Sequence, residues 1–140
     1  MDLPDSAAHV DDGGKWIMTR DNVSGLIWEI KTSANRDDRY TWYDAEDIFI
    51  AGLNSSNFGG FDDWRLPNVK ELSSLVNSGA YSPSIDTAWF PFTGYPYYYW
   101  GTSAYGEYSE SAWIVGFLSG DIGGNDKSLS YYVRAVRASQ

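Results

Sequence analysis

The chain has 140 residues, a formal net charge of -9 at pH 7 and no cysteine. Its length suits a single domain with one core, and its acidity argues against general attraction to nucleic acid, anionic membranes or sulfated polysaccharides, whose charges have the same sign. Without cysteine there is no disulfide framework, no thiol nucleophile and no zinc-thiolate site.

The first 14 residues are predicted to form a mobile leader, and residues 15–140 a single domain. Four aspartates and the pair Gly13 and Gly14 surround few apolar side chains in the leader, so it has little to bury. It also lacks the apolar core of a secretion signal, and no run in the chain approaches the ~18 apolar residues of a membrane span. His9, the single histidine, lies in the leader and is expected to be exposed. We interpret the leader as a place where a larger protein or precursor was cut.

A first β-hairpin is predicted from two short β-prone runs, residues 16–18 and 26–30. The segment between them, residues 21–25, contains Asn, Ser and Gly, which favour turns. The polar segment that follows, residues 32–39, is predicted to be a loop.

A first helix is predicted to begin after Thr41, which suits the N-cap position and has Asp44 at the third position after it. Apolar residues then recur at helical spacing, which predicts a buried stripe along one face. The stripe consists of Trp42, Ala45, Ile48, Phe49 and Leu53.

The loop after this helix, residues 54–61, is rich in turn formers but is predicted to pack against the core. Leaving Phe58 and Phe61 in water would cost about 1.5–3 kcal/mol each. We therefore expect the two rings to pin the loop.

The rest of the fold is predicted to be organised around a joint, which we define as residues 62–72. Pro67 fixes its own φ and keeps the residue before it extended, so a second helix begins after Asn68. Asn68 is the predicted N-cap and Glu71 its capping-box partner, while Gly79 is placed to end the helix. The buried face of this helix is predicted to be Val69, Leu72, Leu75 and Val76.

Trp64 and Arg65 within the joint are interpreted as structural residues. The indole of Trp64 is expected to be buried. The guanidinium of Arg65 is expected to tie a carboxylate or loop carbonyls across the core.

The last third of the chain is predicted to form the main antiparallel sheet, with Ser- and Gly-rich turns between its strands. Before it, Pro83, Pro91 and Pro96 exclude a long helix and indicate an irregular connection. The predicted strands are residues 97–102, 112–118, 121–124 and 131–137.

The residue patterns of two of these strands predict how their side chains pack. Residues 113–118 are apolar at both alternating sets of positions, which predicts a central strand. In the last strand, the alternation permits Arg134 and Arg137 to stack on neighbouring aromatic rings.

Several catalytic mechanisms are excluded by the residues available. A Ser-His-Asp or Cys-His site cannot be built from a single histidine in the leader and no cysteine. Carboxylate pairs can be imagined among 19 acidic residues, but adjacency in sequence does not place two of them on either side of a cleft. Residues 120–128 resemble a phosphate-binding loop only superficially, because Asp126 stands where that motif needs Gly. We therefore predict that the chain is not an enzyme.

A recognition surface is predicted around the turns of the late strands. Tyr and Trp supply contact area at low entropic cost, Ser and Asn adapt their hydrogen bonds, and loops on a rigid scaffold concentrate binding residues. The candidate ligand-binding residues are Tyr105, Tyr108, Asp121, Asn125 and Lys127, with Trp100, Thr102 and Ser103 as the floor.

No cofactor is predicted, but calcium remains an open alternative. Asp121, Asn125 and Asp126 form the densest oxygen cluster of the late strands, and calcium binds such oxygens. Turn formation by the same residues explains them as well.

The joint and five further segments resemble the Lcl C-terminal domain family, named after a collagen-like surface protein of Legionella. The joint contributes DWRLPNVKEL at residues 63–72. The other segments are residues 21–29, 40–45, 85–91, 99–103 and 131–137. The resemblance implies an α+β, C-type-lectin-like fold with two helices, a twisted antiparallel sheet and long irregular loops, distantly similar to the formylglycine-generating-enzyme group. That group uses cysteines, and related sulfoxide-forming iron enzymes use histidines, so neither activity is expected here.

This resemblance also implies a function, namely a non-enzymatic ligand-binding or adhesion module of a bacterial or phage surface protein. The expected partner is a protein or glycan on a cell surface, with no nucleic acid and no membrane insertion, and the expected location is extracellular or at the cell surface as part of a larger or processed protein. Sulfated polymers are the ligands implied for the Legionella protein, and the charge of -9 argues against them here. Three alternatives stay open: a variable target-binding protein of a diversity-generating retroelement, a polysaccharide-acting enzyme, and a structural cap that forms a homotrimer.

Overall fold

The computed structural model describes residues 7–12, 15–22, 24–31, 35–76, 79, 84–85, 90, 98–105, 108–117 and 120–138. These residues form an α+β fold with two small antiparallel sheets, which confirms the predicted class. One sheet has the strand order β1-β2-β3-β7, with bounds β1 Ala7–Asp12, β2 Lys15–Asp21, β3 Leu26–Glu29 and β7 Val136–Ala138. The other has the order β4-β5-β6, with bounds β4 Tyr98–Tyr105, β5 Tyr108–Gly116 and β6 Asp121–Asp126.

The helical segments all precede the second sheet. They are α1 Trp42–Asp44, a π-helix Ala45–Ile50, α2 Ala51–Ser55, a 3₁₀ turn Phe58–Gly60 and α3 Val69–Ser73. None of the helices in the described part of the chain combines the length and the apolar character needed to cross a membrane.

The four-stranded sheet begins inside the segment predicted to be a leader. β1 pairs antiparallel with β2 over its whole length, with a register shift between Val10 and Asp11. Strand pairing uses backbone hydrogen bonds, which do not require apolar side chains, so the composition of this segment did not indicate it. Residues 1–6 and 13–14 of the predicted leader lie outside the described residues. β2 and β3 form the predicted first hairpin, with Met18 opposite Glu29.

The first helix begins where predicted but then changes register. Thr41 is the N-cap, and its Oγ1 accepts a hydrogen bond of 3.2 Å from the backbone N–H of Asp44. The following π-helix has i→i+5 bonds, which bring Ala45 and Ile50 to the same side. Ile50 is buried and Ile48 is 57% exposed, so the predicted stripe is wrong at Ile48 because it assumed α-helical spacing. The remaining members of the stripe, Trp42, Phe49 and Leu53, pack partly buried against the core.

The joint starts α3 with the predicted cap. The side chain of Asn68 accepts from the backbone N–H of Glu71 at 2.7 Å, and the Glu71 carboxylate accepts from the backbone N–H of Asn68 at 2.9 Å. The predicted apolar face is confirmed, with Leu72 and Leu75 buried.

The end predicted for this helix at Gly79 is wrong, because α3 ends at Ser73. Ser73 and Ser74 donate their hydroxyls to carbonyls three residues earlier, and the chain continues with i→i+3 bonds at Leu75 and Val76. Such bonds tighten the last turn and stop the α-helix early.

Trp64 is buried as predicted, at 3% exposure. Its indole Nε1 donates to the carbonyl of Phe58 at 3.0 Å, and the Asn54 side chain bonds both backbone groups of Trp64. Phe58 and Phe61 pack against the core, which confirms that the loop is pinned.

Arg65 differs from its prediction, because its side chain does not cross the core. The side chain is 44% exposed, and its guanidinium makes a bidentate salt bridge to the Glu71 carboxylate, with both N···O distances at 2.8 Å. The carboxylate it binds is thus the capping residue of the same joint, six positions along the chain, and the pair stays at the surface.

The second sheet has three strands rather than the four predicted. β5 is its central strand, as the apolar character of both faces indicated. The segment predicted as the fourth strand joins the other sheet, where β7 pairs with β3. Its link to the second sheet is a single parallel bridge between Tyr132 and Tyr99. Alternation predicts a strand but not its partner, so the sequence left this assignment undetermined. Pro83, Pro91 and Pro96 of the connection lie outside the described residues, while Ser84, Ile85 and Phe90 of the same connection are described and buried.

The stacked arginines predicted for the last segment are present. The Cζ of Arg134 lies 5.1 Å from the ring centroid of Phe90 and 5.2 Å from that of Tyr99. The Cζ of Arg137 lies 3.6 Å from the ring centroid of Phe61. Both arginines are buried, so the C-terminal segment ties the two sheets through its polar side chains as well as its backbone.

Candidate functional site

An open cleft is lined by the start of the first helix, the joint and β4, and has a volume of about 330 Å³. Its lining combines aromatic rings, carboxylates, one hydroxyl and one aliphatic side chain. These residues are Trp42, Tyr43, Glu46, Asp47, Leu66 and Thr102, and we call the site the Trp42 cleft.

The aromatic side of the cleft is held in place by the backbone of two other segments. The indole Nε1 of Trp42 donates to the carbonyl of Gly101 at 3.0 Å, and the backbone N–H of Trp42 donates to the carbonyl of Lys127 at 3.0 Å. The rings of Trp42 and Tyr43 meet edge to face, with centroids 5.6 Å apart. A ring fixed in this way loses little conformational entropy when a ligand binds to it.

Lys127 places its ammonium against these rings. Its Nζ lies 4.2 Å from the ring centroid of Trp42 and 6.0 Å from that of Tyr43. The residue is 9% exposed and makes no ion pair with a carboxylate of the described chain. The quadrupole of the indole is therefore its electrostatic partner.

The carboxylates of the cleft, Glu46 and Asp47, are exposed and take no part in the described ion pairs. Those pairs join Lys31 to Glu29, Arg36 to Asp37, Arg65 to Glu71 and Arg137 to Asp63. Among the described residues at the cleft, the two negative charges of Glu46 and Asp47 thus outnumber the one positive charge of Lys127.

Two of the predicted ligand-binding residues meet at this cleft. Thr102 lines it, and Lys127 lies over its rings. Ser103 is exposed in β4 directly after Thr102. Trp100 is fully buried and donates its Nε1 to the carbonyl of Tyr40 at 2.8 Å, so it supports the sheet without presenting surface to a ligand.

The other predicted residues are spread along β5 and β6. Asn125 is half-buried and donates its amide to the hydroxyl of Tyr131 at 2.6 Å. Burial raises the pKa of the Tyr131 phenol above its ordinary value of 10.0. Asp121 is exposed at the opposite end of β6. Tyr105 and Tyr108 are paired across the end of the β4–β5 hairpin, and their side chains lie outside the description.

The oxygen cluster considered for calcium is divided by the strand. Asp121 and Asp126 are the two ends of β6, and a strand advances about 3.3 Å per residue, so they stand about 16 Å apart. The Oδ1 of Asp126 accepts from both the N–H and the hydroxyl of Ser128, each at 2.8 Å. These two bonds lower the pKa of Asp126, and they identify it as a turn-forming residue. In the described ranges, no three His, Cys, Asp or Glu side chains are grouped as metal ligands.

Sequence reasoning missed most of the Trp42 cleft, because Trp42 was assigned to a buried stripe and its neighbours were not considered. A pattern that could have found the cleft was present. Tyr43 is followed three and four positions later by Glu46 and Asp47, and residues at this spacing share one face of a helix.

A second, more polar concavity of about 510 Å³ lies beside the antiparallel β-bridge between Tyr40 and Tyr131. It is lined by Asp37, Asp38, Arg39, Tyr40 and Ser130. Among the described residues of this lining, Tyr40 alone carries a ring, so they offer less stacking surface than those of the Trp42 cleft.

A family model of the Lcl C-terminal domain matches residues 17–137. The match begins in β2 and ends in β7, so it includes the second sheet and every residue of the Trp42 cleft but not β1 of the first sheet. No curated protein matches the chain.

Proposed function

Because the chain belongs to the Lcl C-terminal domain family, we propose that it is a non-enzymatic ligand-binding module of a bacterial or phage surface protein. Its ligand is a protein or glycan on a cell surface. The C-type-lectin-like architecture and the extracellular location implied by the resemblance are part of this proposal.

The observation that carries the proposal is the make-up of the Trp42 cleft. Tyr43 is 52% exposed although it is a large aromatic residue, and it stands beside a Trp42 ring fixed by the Gly101 carbonyl. Exposed rings held on a rigid frame and rimmed by polar side chains are typical of recognition sites.

The same cleft supports binding over catalysis. Its two carboxylates, Glu46 and Asp47, occupy consecutive positions of one helix, and among the described residues the lining from other segments, Leu66 and Thr102, carries no carboxylate. Glycoside hydrolysis needs two carboxyl groups that flank the scissile bond, about 5–9.5 Å apart on either side of it.

The proposal is tested by binding of the purified chain to a glycan array and to intact cells, with variants chosen from the structure. Tyr43→Ala in the cleft and Tyr105→Ala with Tyr108→Ala in the hairpin probe the two candidate surfaces. Ile122→Ala is the matched control, because Ile122 is a large side chain with 51% exposure on β6, away from the cleft lining.

We expect saturable binding by the unchanged chain and a loss of more than about 1 kcal/mol in affinity for at least one of the two test variants. The control should bind normally, and melting temperatures of the exposed variants should stay close to that of the unchanged chain. Turnover of a polysaccharide by the chain, or no binding to any surface, would overturn the proposal.

A further inference from the structure

The chemistry of the Trp42 cleft narrows its ligand beyond a protein or glycan in general. The rings of Trp42 and Tyr43 offer quadrupoles that attract a cation, and the same rings provide the apolar surface of the cleft. Glu46 and Asp47 supply exposed carboxylates with no cationic partner among the described ion pairs. A cation on an apolar stem fits both parts of this lining.

The chain already holds one such cation against these rings. The ammonium of Lys127 lies 4.2 Å from the Trp42 centroid, and its residue is nine-tenths buried without a carboxylate of the described chain in ion-pair range. This contact shows that the Trp42 ring stabilises a lysine ammonium of the chain itself, so the ammonium of a ligand is expected at the exposed Tyr43 ring and the carboxylates, not in the place of Lys127.

The charge of the site favours a cation over an anion or a neutral group. Glu46 and Asp47 outweigh Lys127, and the whole chain carries -9. A sulfated or phosphorylated ligand meets repulsion at close range and at a distance. A neutral sugar can stack on the rings but would not neutralise the two carboxylates.

We propose that the Trp42 cleft binds a lysine side chain presented by a basic partner protein. This inference rests on the proposed function and names the chemistry of its ligand. The methylene stem lies along the rings, and the ammonium meets the carboxylates at the rim. A sugar-borne amine is the less suitable source, because it lacks the methylene stem that packs along the rings.

The test is an NMR titration with Nα-acetyl-lysine methylamide, followed through the indole N–H resonance of Trp42, which Trp42→Phe assigns. Nα-acetyl-norleucine methylamide serves as the neutral probe with a similar stem, and glucosamine as the sugar-borne amine. We expect the lysine probe to bind about tenfold more tightly than the norleucine probe, and its binding to weaken when salt rises from about 0.05 to about 0.5 M.

Two charge variants separate the cleft from the overall charge of the chain. Glu46→Gln with Asp47→Asn should weaken the lysine probe about tenfold. Asp37→Asn with Asp62→Asn changes the net charge by the same amount at exposed positions outside the cleft, and should leave the affinity within about twofold. A melting curve for each variant shows that both remain folded.

Three results would overturn the inference: equal binding of the lysine and norleucine probes, an unchanged affinity in the cleft variant, or tighter binding of glucosamine than of the lysine probe. If the lysine probe fails while the chain still binds a cell surface in a Tyr43-dependent way, the ligand class is wrong and the proposed function stands. If both assays fail, the proposed function fails too.

Discussion

Two trios of charged residues in this chain each combine acidic and basic side chains, in opposite proportions, and have different roles. Glu29, Lys31 and Arg134 lie in the core, at 2%, 3% and 0% exposure. Glu46, Asp47 and Lys127 gather at the Trp42 cleft, where both carboxylates are exposed. Each trio has members of both signs, so it is burial and pairing, rather than residue type, that separate the charges that hold the fold from those that can meet a ligand.

In the core trio every charge has a partner. The Nζ of Lys31 lies 2.8 Å from the Oε1 of Glu29 and 4.2 Å from the ring centroid of Phe49. Arg134 is stacked between two rings and donates to the backbone carbonyl of Glu29 at 3.4 Å. Burial lowers the pKa of Lys31, and the neighbouring Glu29 opposes that shift. This pairing joins β3 to the C-terminal segment and to the first helix.

In the cleft trio the three side chains form no ion pair with one another. Lys127 faces aromatic rings, and the two carboxylates take no part in the described ion pairs. The two exposed carboxylates add little to folding stability, and their removal costs little. The contrast therefore predicts opposite outcomes for similar substitutions.

The largest effect is expected for Glu29→Ala. It leaves Lys31 and Arg134 as two cations in the core without the carboxylate, and breaking a buried pair in this way costs about 3–5 kcal/mol. Urea unfolding followed by tryptophan fluorescence measures the free energy. Adding Lys31→Met should recover part of the loss, because it removes one unpaired cation.

The matched substitution at the cleft is Glu46→Ala, for which the free energy of unfolding should change by no more than about 0.5 kcal/mol. If Glu46→Ala costs as much as Glu29→Ala, the distinction between the two trios is wrong.

The parts of the fold that could be predicted from the sequence depend on short-range physics. The capping box of Asn68 and Glu71 and the cap at Thr41 are set by residues within three positions, and both are present. The partner of the last strand depends on which distant segment offers a free edge, and the sequence did not specify it: β7 pairs with β3 rather than with the late strands. The exposed position of Arg65 was missed for a different reason, because burial of an arginine cannot be deduced from its neighbours in sequence.

The next largest effect is expected in the first helix, whose register decides which residues face the core and which face the cleft. Ile50→Ala should cost about 2–5 kcal/mol, because Ile50 is 3% exposed and its loss leaves a cavity. Ile48→Ala removes the same atoms from a side chain that is 57% exposed, so its cost should stay within about 0.5 kcal/mol. The two midpoints of urea unfolding show which of the two side chains is buried, and the π-helical register predicts the lower midpoint for Ile50→Ala. A larger cost for Ile48→Ala than for Ile50→Ala would indicate regular α-helical spacing instead.

The candidate site was predictable only in part, because the first helix was interpreted from its apolar residues alone. Thr102 and Lys127 were selected because they border turns of the late strands, and these residues reach the cleft. The helix that supplies Tyr43, Glu46 and Asp47 was read with α-helical spacing as a core element. Its outward face was therefore not examined, although 3.6-residue spacing alone would have placed these three residues together.

The smallest effect is expected for the Arg65–Glu71 pair, whose exposure is intermediate between that of the core trio and that of the cleft carboxylates. Glu71 is 18% exposed and Arg65 is 44% exposed, and the two bonds from the guanidinium lower the pKa of Glu71 from its ordinary value of 4.5. The unfolded chain therefore binds a proton at this position at a higher pH than the folded chain does. The stability from Glu71 is present above about pH 4.5 and is lost as the pH falls through the lower folded-state value.

Glu71→Gln keeps an acceptor for the backbone N–H of Asn68 but removes the titration. At pH 7 we expect a cost of about 1 kcal/mol or less, since the pair lies at the surface. Between pH 6 and pH 3, the free energy of unfolding of the variant should fall less steeply than that of the unchanged chain. A slope remains in both, because the bonds from Arg137 also lower the pKa of Asp63. Parallel curves for the variant and the unchanged chain would mean that the Arg65 pair does not contribute to acid stability, which would place it with the cleft charges rather than with the core.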